Sequence, residues 1–261
     1  MTDLSRAAQA AERAAYAAGT HLLASRSRLN EVLFTHDQPA AVAADIEREA
    51  EALVRDVVLR AFPDHDFMGR LDAEPADAAG PVWVVHALDG QENYLRSIAQ
   101  YAMSIALVID GEPQIGVVYE PCRNEFFGAI RGRGAVLNGV PIRCAAPPAP
   151  AQGRAATVFP ALSSPRMPLY MGELGRVSST FGRVRRSGSR SLELAYVAAG
   201  RVDAFWEHEV RPWAAAAGAL LVRESGALIE ARDRAPVLRS SSVLASTPAA
   251  RDTIFGLLAA A

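Results

Sequence analysis

Residues 82 to 94 read "VWVVHALDGQENY", an apolar, β-branched run that delivers the chain to His86, Asp89 and Gly90. An imidazole beside a carboxylate is a competent general base, because its pKa lies near working pH. A carboxylate before glycine is also ordinary turn chemistry, and a histidine at a strand end is often only a hydrogen-bonded structural group. If a helix starts here, the backbone N–H groups of Gly90 and Gln91 form an anion site that needs no metal. His86 and Asp89 are therefore candidate catalytic residues, and Gly90 and Gln91 candidate ligand-binding ones. Cys122 and Cys144 stand in turn-like surroundings with no partner spaced for zinc or a redox pair, so both read as reduced thiols.

The pattern supplies elements to position these groups. Amphipathic helices are expected over about residues 3 to 26 and 41 to 62, the second stopped by Pro63, with a loop around "NEVLFTHDQPA" between them. Strands follow at "VWVVHAL", "AMSIALVID", "QIGVVYEP" and "EFFGAI", and the turn at Gly111 makes the second and third an antiparallel hairpin. "GRGAVLNGVPI" reads as a Gly-rich loop with an Asn-Gly turn, and "CAAPPAPAQG" as a linker. That linker divides an N-terminal α+β subdomain, 1–145, from a C-terminal α/β subdomain, 146–261. Beyond it strands alternate with helices near 167 to 181, at "SRSLELAYVAAG", at "PWAAAAGALLVRESG" and from about Pro248, which implies a layered α/β sandwich. His65, in "PDHDF", is expected at the surface.

A chain of 261 residues that is 50% hydrophobic can bury a large core. Twenty-seven basic against 29 acidic residues leave no global field to recruit nucleic acid or an anionic membrane. No run approaches the roughly 18 to 20 apolar residues of a membrane span. The N-terminus, "MTDLSRAAQAAERAAYAAG", alternates Ala with Arg and Glu and lacks a signal-peptide core, so a cytoplasmic location is expected.

Three separated stretches resemble the inositol monophosphatase family, over nearly the whole chain. Trp83 to Tyr94 echoes the family signature Trp-Ile-Ile-Asp-Pro-Ile-Asp-Gly-Thr-Thr-Asn-Phe. "RRSGSRSLELAYVAAGRVDAFWE" is similar to bacterial members, and Trp213 to Gly218 with Glu224-Ser225-Gly226 echoes the second signature. The resemblance implies an αβαβα sandwich, usually a homodimer, that hydrolyses phosphate monoesters of small polyols with magnesium held by clustered carboxylates. Some bacterial members also act through macromolecular partners.

Against that family this chain departs at the acids. Arg70 stands at a metal-binding Glu, His86 at the first Asp of the signature, Gln91 at a hydroxyl residue, and Ala214 at the Asp after Trp213; Asp89 is retained. The water-orienting acid falls on Glu47, or on Asp45 if the loop shifts. Glu207 matches a polyol-binding acid with His208 beside it, and Arg190 occupies a position small in relatives. One carboxylate and the Leu88 carbonyl do not hold Mg²⁺. Arg70 and Arg190, if they face inward, can instead fork onto an anion; Arg70 can equally point out from a polar loop. The resemblance thus implies a family protein without the magnesium mechanism, metal-free and acting on a small anionic metabolite. It is either a repurposed enzyme using His86, Asp89 and Glu47 or a non-catalytic binding protein, with Arg70, Gly90, Gln91, Arg190, Glu207 and His208 as the binding set. The alternative is residual phosphatase activity with weak Mg or Mn, through a set such as Asp89, His86 and Asp72.

Overall fold

Strand β2 (Val82–Asp89) is buried at every position because helices cover both faces of its sheet. In the computed structural model, which describes residues 2–29, 39–70, 72, 80–145 and 149–259, β2 is second in a seven-stranded sheet. The order runs β1 (Asp66–Met68), β2, β3 (Ala102–Ile109), β4 (Glu112–Glu120), β5 (Glu125–Ile130), β6 (Ala135–Leu137) and β7 (Val140–Ile142). β1 runs parallel to β2; the other pairs are antiparallel. The β3–β4 turn places Asp110 and Gly111 at φ 52 and 75, both left-handed, as a two-residue hairpin requires.

"GRGAVLNGVPI" is not a loop: the Asn138-Gly139 turn closes a second hairpin, β6–β7. Each strand is only three residues long, too short for alternation to register in the sequence. β1 was likewise hidden in "PDHDFMG". Most of the expected loop at residues 30–40, Pro75, and residues 146–148 of the linker lie outside the described residues.

Helices α1 (Leu4–Ala24) and α2 (Pro39–Ala61) cover the outer face of this sheet. Along α1 the alanines at 7, 10, 11, 14, 15 and 18 and Leu22 are fully buried, a stripe at helical spacing. Asp3 caps its start by accepting from the amides of Ser5 and Arg6. A short helix, α3 (Gln91–Leu95), follows β2.

After the linker, β8 (Arg154–Thr157), α4 (Met167–Thr180), β9 (Arg183–Arg185), α5 (Arg190–Ala198), β10 (Ala204–His208), α6 (Pro212–Glu224), β11 (Leu228–Glu230), β12 (Ser242–Ser246) and α7 (Arg251–Ala259) complete the chain. The second sheet has the order β11-β12-β10-β8-β9. Helices α5 and α6 fill the space between the sheets, and α4 and α7 cover the far side. The layers are therefore αβαβα. Ala214 to Ala217 are all fully buried, as expected for a helix apolar on every side. Gly116 of β4 allows close contact with it, since a Cβ there would lie 2.6 Å from the Ala217 carbonyl oxygen.

Candidate functional site

His86 and Asp89 are three residues apart, so a regular strand would point them to opposite faces. The ladder corrects this. His86 pairs with Ser104 and Asp89 with Ala102, so β2 spends one more residue than β3 over that interval. This bulge turns Asp89 to the face that His86 already occupies. The strand then ends at Gly90, in the left-handed region at φ 97, where a Cβ would meet the Gln100 carbonyl oxygen at 2.8 Å.

Asp89 is nearly inaccessible and anchored on one oxygen. Its Oδ2 accepts from the Ser189 hydroxyl at 3.0 Å and from the Ser191 amide at 2.6 Å, at the start of α5. Burial pushes the carboxyl up, but the neighbouring His86 ring, the Arg190 charge and hydrogen bonding to Ser191 outweigh it and hold the group below its ordinary value. Its Oδ1 lies 4.0 Å from His86 Nδ1, and His86 Nε2 lies 3.8 Å from Glu47 Oε1. Burial is the largest influence on the imidazole and moves its pKa down, against the upward pull of Asp89 and Glu47. Nδ1 is buried without a hydrogen-bond partner.

The arginines face inward, but each is engaged by an acid. Arg70 donates from Nε and Nη2 to the two oxygens of Glu47, at 2.7 and 2.8 Å. Those bonds raise the guanidinium above its ordinary value. Arg190 forks onto Glu207, with Nη2 at 2.7 Å and Nε at 2.9 Å from Oε1. Burial opposes its charge, but Glu207 and Asp89 prevail and keep it protonated. The cationic pocket expected from the sequence is thus a set of matched pairs.

The cavity between these elements has a volume of ≈330 Å³ and is lined by Arg70, His86, Leu88, Asp89, Gly90, Gln91, Arg190, Glu209 and Arg211. Glu47 and Glu207 sit behind the arginines that they bind. Glu47, not Asp45, is the inward acid: Asp45 pairs with Arg48 at the surface, while the Glu47 side chain is 1% exposed. His208 does not join the set. Strand alternation turns it away from Glu207 on β10, and its Nε2 meets Glu173 of α4 at 2.7 Å, where Arg232 also binds that acid. Asp72 accepts from the Gly69 amide at 2.8 Å and from Arg55, and does not line the cavity. His65 is not a free surface group, since its ring stacks on Phe62 at 4.7 Å between centroids.

Sequence reasoning missed Glu209 and Arg211. Both lie on the loop that links the end of β10 to α6, and loops at strand ends were the available signal. Glu209 has a left-handed backbone, φ 62, and accepts from the Ser164 hydroxyl at 2.5 Å. Among the described residues, no group of three or more His, Cys, Asp or Glu side chains is placed to hold a metal ion.

Five alternating layers with a charged pocket at the strand ends define a layered α/β sandwich of the phosphatase type. The chain belongs to the inositol monophosphatase family, whose model matches residues 3–260. It is 36% identical over 220 residues to the Nus factor SuhB of Escherichia coli K12, covering 79% of this chain and 81% of that protein. It is also 36% identical over 214 residues to the inositol-1-monophosphatase of Rhizobium meliloti, covering 82% and 80%. The solved inositol monophosphatase of Anabaena superposes with a TM-score of 0.86 at 30% identity, over 98% of this chain and 96% of that one.

Proposed function

We propose that this chain keeps the family scaffold, has given up the magnesium-dependent phosphatase mechanism, and uses its pocket to bind a small anionic metabolite. The Arg70–Glu47 fork carries this conclusion. Arg70 occupies a position that the family gives to a metal-binding acid, and it consumes both oxygens of the one other inward carboxylate near His86. Asp89 Oδ1 and one oxygen of Glu209, whose Oε1 accepts from Ser164, are then the carboxylate oxygens that the lining offers. Mg²⁺ seeks near-octahedral oxygen coordination and surrenders water reluctantly. These residues do not fit it.

An anion has better prospects. Arg70, Arg190 and Arg211 line the cavity, and a guanidinium carries five donors, more than one carboxylate fork consumes. Inorganic phosphate is expected to raise the melting temperature equally in EDTA and in Mg²⁺. Phosphate release from p-nitrophenyl phosphate or inositol 1-phosphate is expected to stay at background with Mg²⁺ or Mn²⁺. Turnover that rises with either ion and disappears in EDTA would restore the residual phosphatase reading.

One observation favours a second reading, metal-free acid–base catalysis. A neutral, buried imidazole with an unpartnered Nδ1 is the form a general base takes. Chelator-insensitive turnover lost in His86→Gln is its signature. A homodimer, the family's usual assembly, and a cytoplasmic location, expected from the N-terminal composition, belong to the same proposal; sedimentation of the purified chain tests the assembly.

A further inference from the structure

A second cavity, of ≈460 Å³, shares no lining residue with the first. Its walls come from both sides of the second sheet: Arg223 from α6, in the layer between the sheets, and Arg251 and Phe255 from α7, in the outer layer. Ile229 and Glu230 of β11 are consecutive, so their side chains point to opposite faces, yet both line the cavity. A cavity that meets both faces of one strand runs along that strand's edge. β11 is the edge strand of its sheet and pairs with β12 alone. Among the described residues, the backbone of Leu228–Glu230 makes no hydrogen bond outside that ladder. Such an edge presents N–H and C=O groups ready to pair with another chain.

Short length and flanking charge commonly guard an edge, and β11 has both. Guarding does not call for an apolar groove alongside, and here Ile229 and Val237, 8% and 5% exposed, form one with Phe255. Three arginines, at 223, 234 and 251, line the groove against one acid, Glu230. Arg251 meets Glu230 at 3.1 Å and Asp252 at 3.0 Å, and Arg223 meets Glu112 at 3.1 Å; these contacts are exposed to solvent, weak, and open to exchange for another carboxylate. The Arg234 side chain is exposed and makes no ion pair among the described residues. A second copy of this chain would set arginine against arginine, so the charge selects a partner of opposite sign. We propose that β11 accepts an extended acidic peptide segment as an added strand, its backbone paired with Leu228–Glu230, an apolar side chain in the groove and its carboxylates on the three arginines. The opposite edge of the same sheet, β9, also carries arginines, Arg183 and Arg185, but lines neither cavity, and it supplies the comparison.

Fluorescence anisotropy of the full chain with a labelled, end-blocked peptide of three Glu-Val repeats tests this. The Lys-Val counterpart, and a Glu-Val peptide with every backbone amide N-methylated, are each expected to bind about tenfold more weakly or worse, the first for its charge and the second for its lost ladder bonds. Arg234→Glu is expected to weaken the acidic peptide about tenfold, and Arg183→Glu to leave it unchanged. In the wild-type chain, amide hydrogen exchange at Leu228–Glu230 is expected to slow when the acidic peptide binds, with β9 unaffected. Equal binding of the acidic and basic peptides, indifference to N-methylation or to Arg234→Glu, protection at β9 instead of β11, or no binding of the acidic peptide each overturns the proposal. An oligouridylate that protects β11 where the peptide does not would assign the groove to nucleic acid and overturn it equally.

Discussion

Arg70 illustrates how one replacement rewrites the chemistry around it. Glu47 is buried beneath it, so removing the guanidinium strands a carboxylate away from water. Arg70→Ala is expected to lower unfolding stability by about 3 kcal/mol, the scale for breaking a buried ion pair from one side. Adding Glu47→Gln should recover most of that loss, because the neutral side chain costs less to bury; urea denaturation of both variants measures it. A surface role for Arg70 predicts no change in either. The histidines give a second expectation. Burial lowers the pKa of both His86 and His65, so below the ordinary value near 6.5 the unfolded chain binds protons that the folded chain refuses. Stability then rises with pH through that window and is lost as pH falls from about 7 to 5. The depressed Asp89 carboxyl adds its own loss only in stronger acid, as pH falls through its folded pKa. Buried carboxyls raised by desolvation, Glu207 and Glu193 among them, work in the opposite direction, so the histidine contribution is read as a difference: the change in urea midpoint between pH 5.5 and 7.5 should shift in His86→Gln toward less loss at pH 5.5. An identical pH profile in wild type and His86→Gln contradicts the assignment.

At the level of elements, the strand end and the start of α5 do the positioning. Ser189 accepts from the Leu192 amide as the helix cap and donates to Asp89, so one hydroxyl fastens the helix and orients the carboxylate. Ser189→Ala should cost about 1–2 kcal/mol, more than an isolated cap, and should weaken phosphate binding by displacing Asp89. The same Asp89 oxygen takes the Ser191 amide at the first turn of α5, a contact that Ser189→Ala leaves in place. These dependencies explain what could be read from the sequence and what could not. The family signatures located β2 and the pocket because they are contiguous. The bulge between His86 and Asp89 was invisible, because it depends on the register of a partner strand. The Arg70–Glu47 and Arg190–Glu207 forks join residues on different elements, and their types alone left Arg70 free to point either way. His208 was a different kind of error, since its parity on a strand beside Glu207 already excluded it from the same face.

The molecule as a whole resists division at the linker, although its two sheets do divide there: the first ends at Ile142 and the second begins at Arg154. Helices α5 and α6 belong by sequence to the second half, yet they pack in one core with residues of both sheets, including Val84, Val118 and Phe127 from the first and Phe205, Val243 and Ala245 from the second. A fragment ending at residue 145 would expose the inner face of its sheet, and the remainder would expose the face of α6 that packs closely on Gly116 of β4. Neither half can bury its apolar area alone. Unfolding is therefore expected to be a single transition. Trp83 lies in the outer core of the first sheet and Trp206 in the outer core of the second, so each reports on a different side of the sandwich. Urea curves of Trp83→Phe and Trp206→Phe, followed by fluorescence and by far-ultraviolet circular dichroism, should each give coincident midpoints by both methods, as two-state behaviour demands. A second transition seen by only one of these probes would show that the halves fold separately, and the pocket, assembled from both, would then be lost before the sheets are.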